Sequence, residues 1–77
     1  MLKHADNYYK VTKINFDENN QIFLKQEFQL PLGSYNTTVL HLLNDGYSVN
    51  SDEDENLVLT KNNIQITFDF ISEWEEA

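Results

Sequence analysis

The chain has 77 residues, no cysteine and a formal net charge of −8 at pH 7, and 13% of its residues are aromatic. A chain of this size builds at most one hydrophobic core, and its many large apolar side chains exclude a disordered tail, so we expect one domain over residues 1–77. The five scattered lysines exclude nucleic acid as a direct ligand, because phosphate binding needs clustered cationic side chains.

The first two predicted elements are strands that form a hairpin. Residues 21–30 show the period-two pattern of a half-buried strand. One side of this strand carries Ile22, Leu24, Phe28 and Leu30, and the other carries Phe23, Lys25, Glu27 and Gln29. Residues 17–20 contain two asparagines, which tolerate the left-handed backbone of a tight turn, so we place the turn there.

The strand before this turn, residues 8–16, has an irregular pattern. Its apolar residues fall in two phases, Tyr9 with Val11 and Ile14 with Phe16. If all four belong to one face, the backbone must shift between them, which predicts a β-bulge or bend near residues 12–13. We expect residues 1–6, which precede the strand, to fray.

A helix is predicted after the first hairpin. Ser34 or Asn36 can cap its first turn, because their side chains accept free amide hydrogens, and the helix is predicted to run through Asp45. Gly46 suits the left-handed position that follows a last turn. The predicted core-facing side carries Tyr35, Val39, Leu42 and Leu43.

Three strands are predicted in the second half of the chain. Residues 47–50 form a short one, and residues 56–61 and 64–70 form a hairpin around Asn62 and Asn63. The predicted fold is therefore α+β in the order ββαβββ, an antiparallel sheet of four to five strands with one helix on one face. Residues 72–77 are an acidic C-terminal tail that either extends the last strand or forms a helical turn.

The negative charge is concentrated in the second half of the chain. Residues 1–43 carry four lysines and four carboxylates, whereas residues 44–77 carry Lys61 against nine carboxylates, which accounts for the whole net charge of −8. Charge of one sign speeds the encounter with a partner of the opposite sign. A basic protein surface is thus the expected partner.

The candidate partner-binding residues are most of these carboxylates and one tryptophan: Asp52, Glu53, Asp54, Glu55, Asp69, Glu73, Trp74, Glu75 and Glu76. The loop 51–55 by itself is typical of a solvated loop tip. If the tail continues the last strand, Glu73 and Glu75 lie about 6.6 Å apart on one side, which imitates a row of phosphates. Trp74 is either an interface anchor or a core residue that closes the end of the sheet.

No pattern in the sequence predicts a metal, a cofactor or a catalytic site. The loop that begins at Asn50 resembles an EF-hand at its first positions, but Glu55 replaces the required glycine and Lys61 the bidentate glutamate. His4 and His41 lack partners at metal-binding spacing, and there is no nucleophile elbow or glycine-rich phosphate loop. We expect a protein that is not an enzyme and binds no cofactor.

Two functional hypotheses follow. The first is a cytoplasmic binding protein that occupies a basic surface, since no signal peptide or membrane-length apolar run is present. In size, charge and layout the chain resembles small acidic phage-encoded inhibitors of host nucleases, including some anti-CRISPR and anti-restriction proteins, and this resemblance of type implies mimicry of nucleic acid. The second is an accessory subunit, an immunity protein or a homodimer that uses an exposed aromatic surface. It is supported by a surplus of aromatic residues, some of which fall on the strand face opposite the predicted core: Tyr8, Tyr9, Phe23, Tyr47 and Trp74.

Overall fold

A computed structural model describes the backbone of residues 2–50 and 56–76 and the side chains of residues 7–50 and 56–72. These residues form a five-stranded antiparallel sheet and an α-helix in the order ββαβββ, which confirms the predicted α+β fold. The elements are β1 (Leu2–Phe16), β2 (Ile22–Pro31), a 3₁₀ turn (Leu32–Ser34), α1 (Tyr35–Asn44), β3 (Ser48–Val49), β4 (Asn56–Lys61) and β5 (Ile64–Glu76).

The strand order across the sheet is β2-β1-β5-β4-β3, so the two longest strands lie next to each other inside it. β1 pairs with β5 from Leu2 onwards but with β2 only from Tyr8, and β4 begins opposite Asp69. Residues 2–7 and 72–76 therefore form a two-stranded ribbon that projects beyond the other strands. The backbone of residues 2–6 lies in register with β5, and the expectation that residues 1–6 fray stays a prediction.

β1 passes through residues 12–13 without a bulge, so that prediction is wrong. Its register with both neighbouring strands is continuous over residues 8–15. Tyr9 and Val11 pack on the side of the sheet that α1 covers, whereas Ile14 lies in the other phase, on the opposite side. We call this opposite side the open face. A regular strand with apolar residues on both faces thus explains both sets of apolar residues in β1.

A register shift occurs instead at the start of β2. Asn15 is opposite Leu24 but Phe16 is opposite Ile22, so Phe23 is an extra residue without a partner on β1. An extra residue places the side chains of the residues before it on the opposite face of the sheet. Ile22 therefore lies beside Phe16 on the open face, which corrects its predicted place on the same side as Leu24.

The core lies between α1 and the central strands. Six residues from five segments are buried: Val11, Leu30, Tyr47, Leu59, Ile66 and Phe68. From the helix, Tyr35, Val39 and Leu42 pack against them, as predicted, while Leu43 is 38% exposed. Burial of each large apolar side chain contributes about 1.5–3 kcal/mol, so this small cluster is the main source of stability.

α1 ends at Asn44, one residue before the predicted end, and Gly46 takes the predicted left-handed position after the last turn, with a φ of 105°. The Gly46 N–H donates to the Leu43 carbonyl at 3.1 Å and the Tyr47 N–H donates to the Leu42 carbonyl at 3.0 Å, which is the bond pair of a Schellman motif. Ser34 occupies the N-cap position, but its side chain makes no capping hydrogen bond. The C-terminal motif directs the chain from the helix into the core at Tyr47.

Candidate functional site

The acidic half of the chain contains one lysine, and a carboxylate pairs with it. Lys61 Nζ lies 3.3 Å from Asp45 Oδ2 and donates to the Asp45 carbonyl oxygen at 2.6 Å. Residues 1–43 are neutral, so once Asp45 is matched with Lys61 the net charge of −8 corresponds to eight carboxylates. We call them the acidic set: Asp52, Glu53, Asp54, Glu55, Asp69, Glu73, Glu75 and Glu76.

Asp69 is the member of the acidic set whose side chain the structure describes. It is half-buried on the open face of β5, in register with Lys10 on β1 and Asn56 on β4. The Lys10 ammonium lies 3.2 Å from Glu27 Oε2, so this lysine is engaged by the β2 side of the sheet. The cation nearest to Asp69 in the sheet register thus already has a carboxylate partner.

Three further members of the acidic set follow Asp69 on the same strand. β5 continues through Glu76, so of the two forms considered for the tail the strand is the observed one. Glu73 is opposite Asp6 and Glu75 is opposite His4 in the backbone register. Positions 69, 73 and 75 share one phase, with positions 73 and 75 about 6.6 Å apart. The side chains of residues 73–76, including Trp74, lie outside the described residues.

The remaining four members, Asp52, Glu53, Asp54 and Glu55, lie in segment 51–55, which is outside the described residues. The chain on both sides of this segment is described. The Asn50 N–H donates to the Val58 carbonyl at 2.7 Å, and Asn56 begins β4 directly opposite Asp69. The acidic segment therefore joins the sheet at the strand pair that contains Asp69, three residues before the projecting ribbon begins.

The aromatic residues considered for an exposed surface do not share one surface. Tyr9 stacks on Tyr35 of α1 with 4.1 Å between ring centroids, and Tyr47 is buried, so both belong to the core side. Tyr8 is half-buried, whereas Phe23 is 76% exposed. Burial raises the pKa of the Tyr35 phenol, and the neighbouring Tyr9 adds to the shift. Tyr9 and Tyr47 therefore do not contribute to an exposed surface, and the hypothesis of an aromatic interface that includes Tyr8, Phe23 or Trp74 stays a prediction.

Sequence reasoning missed a second surface, which lies along β2. Leu24 is 46% exposed and Phe28 is 50% exposed, although both lie on the side of the sheet that carries α1. A cavity of about 280 Å³ separates Leu42 of the helix from Phe28 and Gln26 of the strand. The helix thus leaves Leu24 and Phe28 of the outer strand partly exposed, although Leu30 farther along it is buried, and the alternating pattern of β2 could not indicate this.

The described residues contain no group of three side chains suited to holding a metal ion, and three surface cavities that they form each contain at most one carboxylate. His41 is exposed on α1. None of the helices in the described part of the chain has the length and apolar character needed to cross a membrane. Comparison with protein-family models, curated proteins and solved structures finds no significant match. The surface of the chain itself must therefore support any functional proposal.

Proposed function

We propose that the protein is a small non-enzymatic binding protein that acts in the cytoplasm by occupying a basic surface of a nuclease or another nucleic-acid-binding protein. The observation that supports this proposal is the position of the acidic set. Its eight members account for the net charge of −8, and they follow one another on β5 or lie in the segment that enters the sheet opposite Asp69.

The pairing of Lys61 with Asp45 strengthens the case, because it removes the cation that could have neutralised this region. Individual exposed ion pairs contribute only about 0.2–1 kcal/mol. The affinity must therefore come from several carboxylates acting together, and steering by their common field should raise the association rate.

The spacing along β5 limits how the chain could imitate nucleic acid. Positions 73 and 75 are about 6.6 Å apart, whereas one strand of duplex DNA carries a phosphate about every 3.4 Å along the helix axis. β5 alone thus offers about half the charge density of one DNA strand. We propose that segment 51–55 supplies the missing charge, so that the loop and the ribbon act as one surface.

This proposal is tested with a panel of purified nucleases and DNA-binding proteins. Binding of the immobilised chain is measured at about 50 and 200 mM salt, between which the Debye length falls from about 14 to about 7 Å. We expect a basic member of the panel to bind, to be displaced by duplex DNA, and to lose at least tenfold in affinity at the higher salt concentration. Binding that is insensitive to both salt and DNA would contradict mimicry.

A further inference from the structure

The two edges of the sheet differ in how they are protected against pairing with another strand. At one edge, β3 has two residues, and a short edge strand is a poor template for pairing. At the other edge, β2 has ten residues, and no strand of the described chain pairs with its outer side. Its protective features lie at its ends, with the extra residue Phe23 at one and Pro31 at the other. The stretch between them is an exposed template.

This stretch is self-complementary. In an antiparallel pair of identical strands with Gln26 opposite Gln26 of the second copy, Lys25 lies opposite Glu27 and Leu24 lies opposite Phe28, each pair occurring twice. Opposite charges and apolar side chains placed directly across two strands stabilise their pairing. Leu24 and Phe28 are about half exposed in the single chain, so both gain contacts in this arrangement.

In the two neighbouring alignments that also place side chains of the same face opposite each other, the opposite-charge pairs are lost. Centring the pair on residue 25 places Lys25 opposite its own copy, and centring it on residue 27 does the same for Glu27. Like charges directly opposite one another are destabilising. Glu27 is 44% exposed in its pair with Lys10, so it can accept a second cation from the other chain.

The overall charge does not oppose this pairing strongly. Residues 1–43 are neutral, and the members of the acidic set on β5 lie two strands away from the β2 edge, while segment 51–55 connects β3 and β4, which are farther from that edge. Strands in a sheet are about 4.8 Å apart, so the two β5 strands of a pair of molecules would be about 24 Å apart. That separation exceeds the Debye length of about 8 Å at physiological salt.

We propose that two copies of this chain associate along β2 about a two-fold axis at Gln26, forming one continuous sheet with both helices on the same side. A two-fold arrangement uses the β2 edge of both copies, so assembly through this edge stops at the dimer. The β5 strand of each copy remains two strands away from the β2–β2 contact. Dimerisation and binding of a basic partner therefore use different surfaces.

The test is the molecular mass by sedimentation equilibrium over about 5–500 μM at physiological salt. The full chain should approach twice its mass of 9.1 kDa. Lys25→Glu and Glu27→Lys each place like charges opposite one another twice, so each variant alone should weaken the dimer at least about tenfold. Glu18→Lys, in the exposed turn, makes the same charge change as Glu27→Lys away from β2 and should leave the dimer unchanged.

An equimolar mixture of Lys25→Glu and Glu27→Lys chains restores both opposite-charge pairs, so it should dimerise although neither variant does alone. The mixture contains the same two variant chains, and misfolded chains would not dimerise when mixed. This rescue therefore excludes misfolding as the cause of the single-variant result. A monomeric wild-type chain at every concentration, a mass above the dimer, or a mixture that stays monomeric would overturn the proposal. The acidic set is intact in all these variants, so failure here leaves the proposed partner binding untouched.

Discussion

Lys61→Met removes the contact that joins the end of α1 to β4. The Lys61 ammonium donates to the Asp45 carbonyl at 2.6 Å, lies 3.3 Å from the Asp45 carboxylate, and is 5.6 Å from the centroid of the Tyr47 ring. A hydrogen bond of this kind contributes about 0.5–1.5 kcal/mol, and the exposed ion pair and the cation–π contact contribute about 0.5 kcal/mol each. These three contacts share one ammonium group, so their contributions do not simply add, and methionine keeps most of the apolar stem. We expect a total loss of about 1–2 kcal/mol.

The assay is thermal unfolding followed by circular dichroism, with Asp45→Asn as the matched variant. For a chain of this size, 1–2 kcal/mol corresponds to a decrease in Tm of about 6–12 °C. Asp45→Asn keeps the backbone carbonyl and should lower Tm by less than about 3 °C. If the two variants were equally destabilising, the ion pair and not the bond to the carbonyl would hold this junction, and the reasoning would be refuted.

Three further changes test the packing. Leu59→Ala, at a fully buried position, should cost about 2–5 kcal/mol and leave little folded protein, as measured by urea denaturation. Gly46→Ala should cost about 1–2 kcal/mol in the same assay, because the φ of 105° strains an L-residue although the Lys61 side chain leaves room for a methyl group. Because burial raises the pKa of Tyr35, the fold favours the neutral phenol, so stability should fall as pH rises above about 10. Tyr35→Phe should lose less stability than the wild type between pH 9 and about 11, and equal losses would contradict this assignment.

Local signals predicted much of the fold. The turns at Asn20 and Asn62 adopt positive φ, and Gly46 ends the helix, because these residue types carry their backbone preference in the sequence itself. The phase of β1 could not be resolved in the same way. An apolar residue such as Ile14 fits either a bulge or a second face, and only the neighbouring strands decide between them. The order of strands depends likewise on pairings between distant segments.

The candidate site was predictable in one respect and not in another. The excess of negative charge after residue 43 is visible in the sequence, whereas the pattern of the tail is too short to decide between a strand and a helical turn. The pairing of Lys61 with Asp45 joins residues 16 positions apart and depends on the helix end, so composition could not indicate it. The exposure of Phe28 was equally hidden, because it follows from where α1 lies across the sheet.

The most direct test of the acidic surface compares two double variants that change the net charge equally. Glu73→Gln/Glu75→Gln neutralises two members of the acidic set. Asp17→Asn/Glu18→Gln neutralises two carboxylates of the first turn. The amide introduced at position 17 keeps an oxygen that accepts from the two backbone N–H groups that donate to Asp17. At about 50 mM salt, the first variant should bind a basic partner at least tenfold more weakly than wild type, and the second should bind within about twofold of it. Equal weakening by both would mean that total charge, and not this surface, governs binding.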